Sequence, residues 1–216
     1  MTALFKAAIL SLVALTAVFI QDPQPAPAES PIPQFGRDTV LVWQSENQGH
    51  TSKFVVRIAD FLPGRYIEWE NETTQGTIFM SEKAVMSSRV FLGSRLFEPG
   101  VDTKGKDATT LWLSQKAFAE LQATGRAKLA IDSIDCWVTT EGEESLTVEV
   151  NRASRALPVL KTKDERGSER WFLNSVENPL LVKHSVRKYT QTLVSITTDR
   201  ANTLRWIKGK KLSGPR

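Results

Sequence analysis

Apolar and polar residues alternate with a period of two along most of this chain, and no other feature limits its fold so strongly. Phe54, Val56 and Ile58 alternate with Lys53, Val55 and Arg57, the pattern of a strand with one buried face. Leu62-Pro63-Gly64-Arg65 is a turn signal, because proline presets one dihedral and glycine tolerates the next. Tyr66, Glu68 and Glu70 then alternate with Ile67 and Trp69, so the segment reads as a β-hairpin. A two-residue Pro63-Gly64 turn sets Arg57 opposite Glu70 on a solvated face, a pairing worth well under about 1 kcal/mol.

The same reading extends downstream. A strand is expected over 76–81, then a short helix within 81–92. An exposed, mobile loop rich in glycine, proline and charge follows at 98–107. Ser114 caps a helix over 115–122 in which Phe118 and Leu121 share a face, and Gly125 stops it. Strands resume at 127–131, 135–140, 146–150 and 156–162, with Leu146, Val148 and Val150 facing inward. After a polar turn at 164–169 come strands at 171–173, 180–183 and 188–198. Roughly ten strands with one or two short helices define a mainly β protein: a curved antiparallel sheet, sandwich or half-barrel. The loop near 100–107 is a candidate divide between two lobes of a β-rich domain spanning 31–199.

The first thirty residues carry an address. Lys6 precedes a 14-residue apolar run, Ala7–Ile20, and a proline-rich linker follows, which is the layout of an export signal. The run is shorter than the roughly 20 residues that cross a bilayer comfortably, which favours cleavage and a periplasmic or secreted product. Uncleaved, the segment from Thr2 to Ile20 is an N-terminal anchor in the inner membrane, with Lys6 on the cytoplasmic side. Cys136 is the single cysteine, so no intramolecular disulfide is available and the core alone must hold an exported domain together. Beside Trp137 in an apolar stretch, Cys136 reads as a buried small hydrophobe. Basic character is concentrated in residues 200–216, with six cations and no acid. This tail suits contact with an anionic surface, and an exported protein makes nucleic acid the least fitting partner.

Catalytic signatures are missing. The sequence has no Gly-x-Ser-x-Gly elbow and no phosphate-binding glycine loop. Its two histidines, His50 in a polar loop and His184 at a strand end, lack the neighbours of a zinc site. No cofactor is called for. Glu68, Glu70 and Glu72 project from one strand face but read as partners of Lys53 and Arg57. Tryptophans remain. Trp69, Trp112, Trp137 and Trp171 are the residues expected to line an apolar cup for a lipid or another hydrophobic ligand. Two function classes follow: a non-enzymatic envelope protein binding an apolar ligand or an envelope protein partner, and a periplasmic hydrolase whose site is assembled from scattered residues.

Two segments also resemble a known group. Residues 109–122, Thr-Thr-Leu-Trp-Leu-Ser-Gln-Lys-Ala-Phe-Ala-Glu-Leu-Gln, and 170–183, Arg-Trp-Phe-Leu-Asn-Ser-Val-Glu-Asn-Pro-Leu-Leu-Val-Lys, look like uncharacterised exported bacterial β-rich proteins. Those proteins in turn resemble periplasmic lipoprotein-carrier-type domains. The resemblance implies an envelope location and a β-rich fold, and it transfers no catalytic residue.

Overall fold

The computed structural model describes residues 31–61, 63–93, 97, 99 and 102–198. The segment expected to be an export signal, its linker, Leu62 and the basic tail with Trp206 lie outside the described residues. Strands β1 (Val40–Asn47), β2 (His50–Asp60), β3 (Arg65–Glu70) and β4 (Gln75–Met80) are successive antiparallel neighbours. Helix α1 (Glu82–Ser87) leads to three short strands, β5 (Val90–Phe91), β6 (Asp102–Gly105) and β7 (Ala108–Thr109). Helix α2 (Gln115–Thr124) precedes β8 (Arg126–Ile131), β9 (Ile134–Val150), β10 (Ala153–Asp164), β11 (Glu169–Leu173), β12 (Leu181–Val186) and β13 (Tyr189–Thr197).

All thirteen strands belong to one sheet, ordered β6-β4-β3-β2-β1-β13-β12-β11-β10-β9-β8-β5-β7. β13 also pairs in parallel with β9, Ser195 with Glu149 and Ile196 with Val150. That contact closes β9 to β13 into a ring and leaves the remaining strands as two wings. The mainly β, curved sheet with two short helices expected from the alternation is therefore present.

Apolar side chains pack on both sides of the ring's middle strands. Val159, Trp171 and Val182 join Leu41, Trp43, Val56, Ile67, Val148 and Leu193 in one core, while their neighbours Leu160, Phe172 and Leu181 join a second. The second core is covered by α2 through Ala117, Phe118 and Leu121. Both helix ends follow the local rules. Ser114 Oγ accepts from Ala117 N at 3.2 Å, and Gly125 adopts φ +73°, a left-handed conformation that closes the last turn at little steric cost. Three hairpins turn on pairs with positive φ, Gln48-Gly49, Asp132-Ser133 and Asn151-Arg152, the turns whose twist matches that of the flanking strands.

Several expectations need correction. The loop of the first hairpin runs from Phe61 to Gly64, and β2 bulges between Ile58 and Asp60, so Arg57 faces Glu68 while Glu70 faces Val55. Arg57 is buried rather than solvated. Its Nη1 donates to Asp38 Oδ1 at 2.8 Å and its Nη2 to Glu68 Oε2 at 2.8 Å. The stretch expected to be an exposed loop contains β6, which pairs in parallel with β4. The two strands expected over 135–140 and 146–150 are one strand, β9. A register shift at Lys161/Thr162 lets its polar middle stay paired with β10 past Gly142 (φ +123°). His50 opens β2 opposite Asn47 instead of lying in a loop, and β1 before it carries no clear alternation.

Arg57 is the buried charge that ties β2 to β3 and to the chain before β1. Arg57→Ala leaves two carboxylates facing each other without a cation, and it should cost about 3 kcal/mol, read as a lower urea midpoint with unchanged slope.

Candidate functional site

Adjacent hollows join into one cleft across the sheet. Its floor is a row of cross-strand partners: Arg170 of β11 faces His184 of β12, which faces Gln191 of β13, which faces Ser45 of β1, which faces Ser52 of β2. Each of the five lines the cleft. Phe54 and Trp69 extend the row onto β3, since Trp43 pairs with Phe54 and Val56 with Trp69. From β11 to β3 there are five strand spacings of roughly 4.8 Å, about 24 Å of floor. The facing wall comes from Phe91, Gly93, Phe97, Thr110, Leu111 and Asp132.

The two ends differ in chemistry. At one end Phe97 stands edge-on against Phe54 (centroids 5.0 Å apart) and against Trp69 (5.4 Å), a favourable arrangement for aromatic rings. The hollow there measures about 270 Å³. At the other end a hollow of about 710 Å³ is lined by Arg166, Arg170, Arg187 and Lys188, with Asp132 its one lining carboxylate. A smaller hollow of about 200 Å³, containing His184, Tyr189 and Gln191, connects them.

The basic end is held from behind. Asp164 is buried, and its Oδ2 accepts from Arg170 Nη1 at 2.9 Å while its Oδ1 accepts from the backbone N–H groups of Arg166 and Ser168 at 3.0 Å each. Burial alone pushes the carboxyl pKa up, but the Arg170 hydrogen bond and the two backbone donors outweigh it and hold Asp164 below its usual range. The polar turn at 164–169 thus has a structural anchor inside it. Arg187 and Lys188, at the β12–β13 turn, are exposed and have no ion-pair partner among the described residues.

His184 is second in the floor, between Arg170 and Gln191. Burial, reinforced by the positive charge of Arg170, lowers its pKa to about 4, so the imidazole is neutral at pH 7. Its ring stands edge-on to Tyr189, and Nε2 is buried without a hydrogen-bond partner. The Thr110 hydroxyl and the Trp69 indole N–H share that condition. Buried polar atoms are almost always satisfied, yet of the six buried side-chain atoms without a partner among the described residues, three belong to residues lining this one cleft. Wherever a bound group reaches these atoms, it removes a standing cost.

The four tryptophans named from sequence do not share one cup. Trp69 lines the aromatic end of the cleft and is 3% exposed. Trp112 is buried, its Nε1 donating to Asn178 Oδ1 at 2.6 Å. Trp171 is buried with its Nε1 donating to Glu144 Oε2 at 2.7 Å, under Lys183. Trp137 is 41% exposed on β9, with Arg126 over its ring. Glu72 lies beyond the end of β3, and no metal-holding group of histidine, cysteine or acids occurs among the described residues. Arg170, Gln191, Ser45 and Phe97 carry no local motif. Strand register brings the first three together, and Phe97 joins them from the segment between β5 and β6 through its ring contacts with Phe54 and Trp69.

Both segments that carry the sequence resemblance border the cleft, and they pack on each other. Leu181 N donates to Leu111 O, Leu113 N to Pro179 O, and Trp112 bridges to Leu180. No family model matches the chain, and no curated protein or solved structure matches it either.

The depressed His184 pKa has a consequence for stability. Between pH 6.5 and about 4 the unfolded chain binds a proton at this site that the folded chain refuses, so the contribution is intact above pH 6.5 and is lost as pH falls toward 4. His184→Gln should abolish a loss of the order of 3 kcal/mol over that window, seen as a flatter urea stability profile than that of the wild type.

Proposed function

We propose that the protein is an exported, non-enzymatic binding protein whose cleft holds the apolar portion of an elongated ligand. The observation that carries this reading is the continuous floor from Arg170 to Trp69, closed over its far end by Phe97 and bordered by unpaired buried polar atoms. Phe54, Trp69, Phe91, Phe97 and Leu111 give the cleft apolar surface beside its polar floor, a combination of apolar and convergent polar groups that suits a small ligand. The export signal and the resemblance to carrier-type envelope proteins support the same reading from the sequence side.

The hydrolase alternative finds less support. A cleft histidine near a carboxylate is present, His184 with Asp132. However, no hydroxyl lies within hydrogen-bond distance of His184 Nε2, and Asp132 Oδ1 accepts from Gly93 N at 2.8 Å. Nucleophile, base and orienting group are therefore not linked as acyl-transfer chemistry needs. Burial and the charge of Arg170 lower the basicity of His184 by more than Asp164 and Asp132 raise it.

The neutral, apolar dye N-phenyl-1-naphthylamine provides a direct test. It should bind with enhanced fluorescence, and Phe97→Ala should weaken binding about tenfold by removing the ring that covers Phe54 and Trp69, with the melting temperature recorded to exclude unfolding. No enhancement with the wild type, or an unchanged affinity in the variant, refutes the reading. Cell fractionation should find the mature chain in the envelope or medium, and a cytosolic product would overturn the exported part of the proposal.

A further inference from the structure

The geometry points to an oxyanion-bearing amphiphile as the ligand: its phosphate or carboxylate head lies between Arg170, Arg187 and Lys188, and its apolar tail runs toward Trp69. This rests on the cleft reading above and specifies the ligand class. Three observations converge on it.

Charge is unevenly placed along a single cleft. Four cations line one end against one lining carboxylate, while the other end, formed mainly by aromatic and hydroxyl groups, has Lys53 as its one charged lining residue. The low-dielectric walls of a cleft strengthen such a field and favour an anion at that end.

Arg170 is built rather than merely present. Its side chain is 5% exposed, and Asp164 takes one of its guanidinium donors, fixing the fork while leaving the other N–H groups outside that bond. A guanidinium held in this way suits the planar oxygens of a carboxylate or phosphate. Asp164 is in turn locked by two backbone donors, so the arginine is positioned before any ligand arrives.

A neutral imidazole adjoins the guanidinium. His184 is the cross-strand partner of Arg170 and carries an unpaired buried Nε2. A neutral imidazole adds no competing positive charge and can donate from Nε2 in one tautomer or accept there in the other, so it suits a partly protonated phosphate or an ester oxygen next to the head. Arg187 and Lys188 at the exposed rim supply the longer-range attraction, which salt should weaken.

Isothermal titration of the full chain with decyl phosphate, decanol and inorganic phosphate, each below any micelle-forming concentration, tests this inference. Decyl phosphate should bind about tenfold or more tighter than decanol. The double substitution Arg187→Gln, Lys188→Gln, both at exposed positions, should reduce decyl phosphate affinity about tenfold and leave decanol unchanged. Equal affinities for the two alkyl ligands, or a decyl phosphate affinity indifferent to the substitutions, overturns the oxyanion site while the cleft reading stands. Inorganic phosphate binding as tightly as decyl phosphate supports the oxyanion site, makes its ligand a free anion and overturns the apolar cleft. Absence of binding by all three overturns both.

Discussion

The split pairing of β13 is the interaction on which the rest of the structure depends. This nine-residue strand hydrogen-bonds along its length to β1, through its first half to β12, and near its end to β9. The ring closes because of the last contact, and the wing of β1 to β4 is attached by the first. Backbone groups of a sheet edge must find partners or face water, and here one strand satisfies three neighbours. The cleft floor is a direct product: Gln191 is one of four residues, Tyr189 to Thr192, that pair with both β12 and β1, and the row from Arg170 to Ser52 passes through it.

Much of the architecture was legible because it is written locally. Strands with one wet face alternate, as in the residues around Val148, and α2 declared itself through Ser114, Phe118, Leu121 and Gly125. The failures have physical causes. β1 is hard to see because Val42 is apolar on the less buried face and Ser45 is polar on the buried one, so the alternating burial of Leu41, Trp43 and Ser45 leaves no apolar–polar alternation in the residue types. The middle of β9 reads as a break because Glu141, Glu143 and Glu144 are solvated, yet Lys161 pairs with Glu141 and with Glu169 across it. Arg57 was assigned to the surface on the assumption of a two-residue turn. The turn and the bulge in β2 each moved its partner by one position, from Glu70 to Glu68, and placed the ion pair inside.

The site was less legible than the fold. Tryptophans can be counted in a sequence, but which of them meet depends on register. Only Trp69 lines the cleft, whereas Trp112 and Trp171 spend their indole N–H groups on internal acceptors. His184 looked like an ordinary strand-end residue. Its distinction is a missing partner, and a missing partner is visible only once every neighbour has been placed. Asp164 is similar: within a run of charged residues it resembles surface decoration, but it is the buried support of Arg170.

The pairing of β1 with β13 has a consequence for how the molecule is made. Val40 finds its partner in Thr197, nearly at the other end of the described chain. During synthesis the first four strands exist for most of the elongation time with one flank unclaimed, and contacts of such sequence separation form late. β1 cannot gain this second neighbour until β13 has been made, so closure of the sheet waits on residues far along the chain from the strands that it completes.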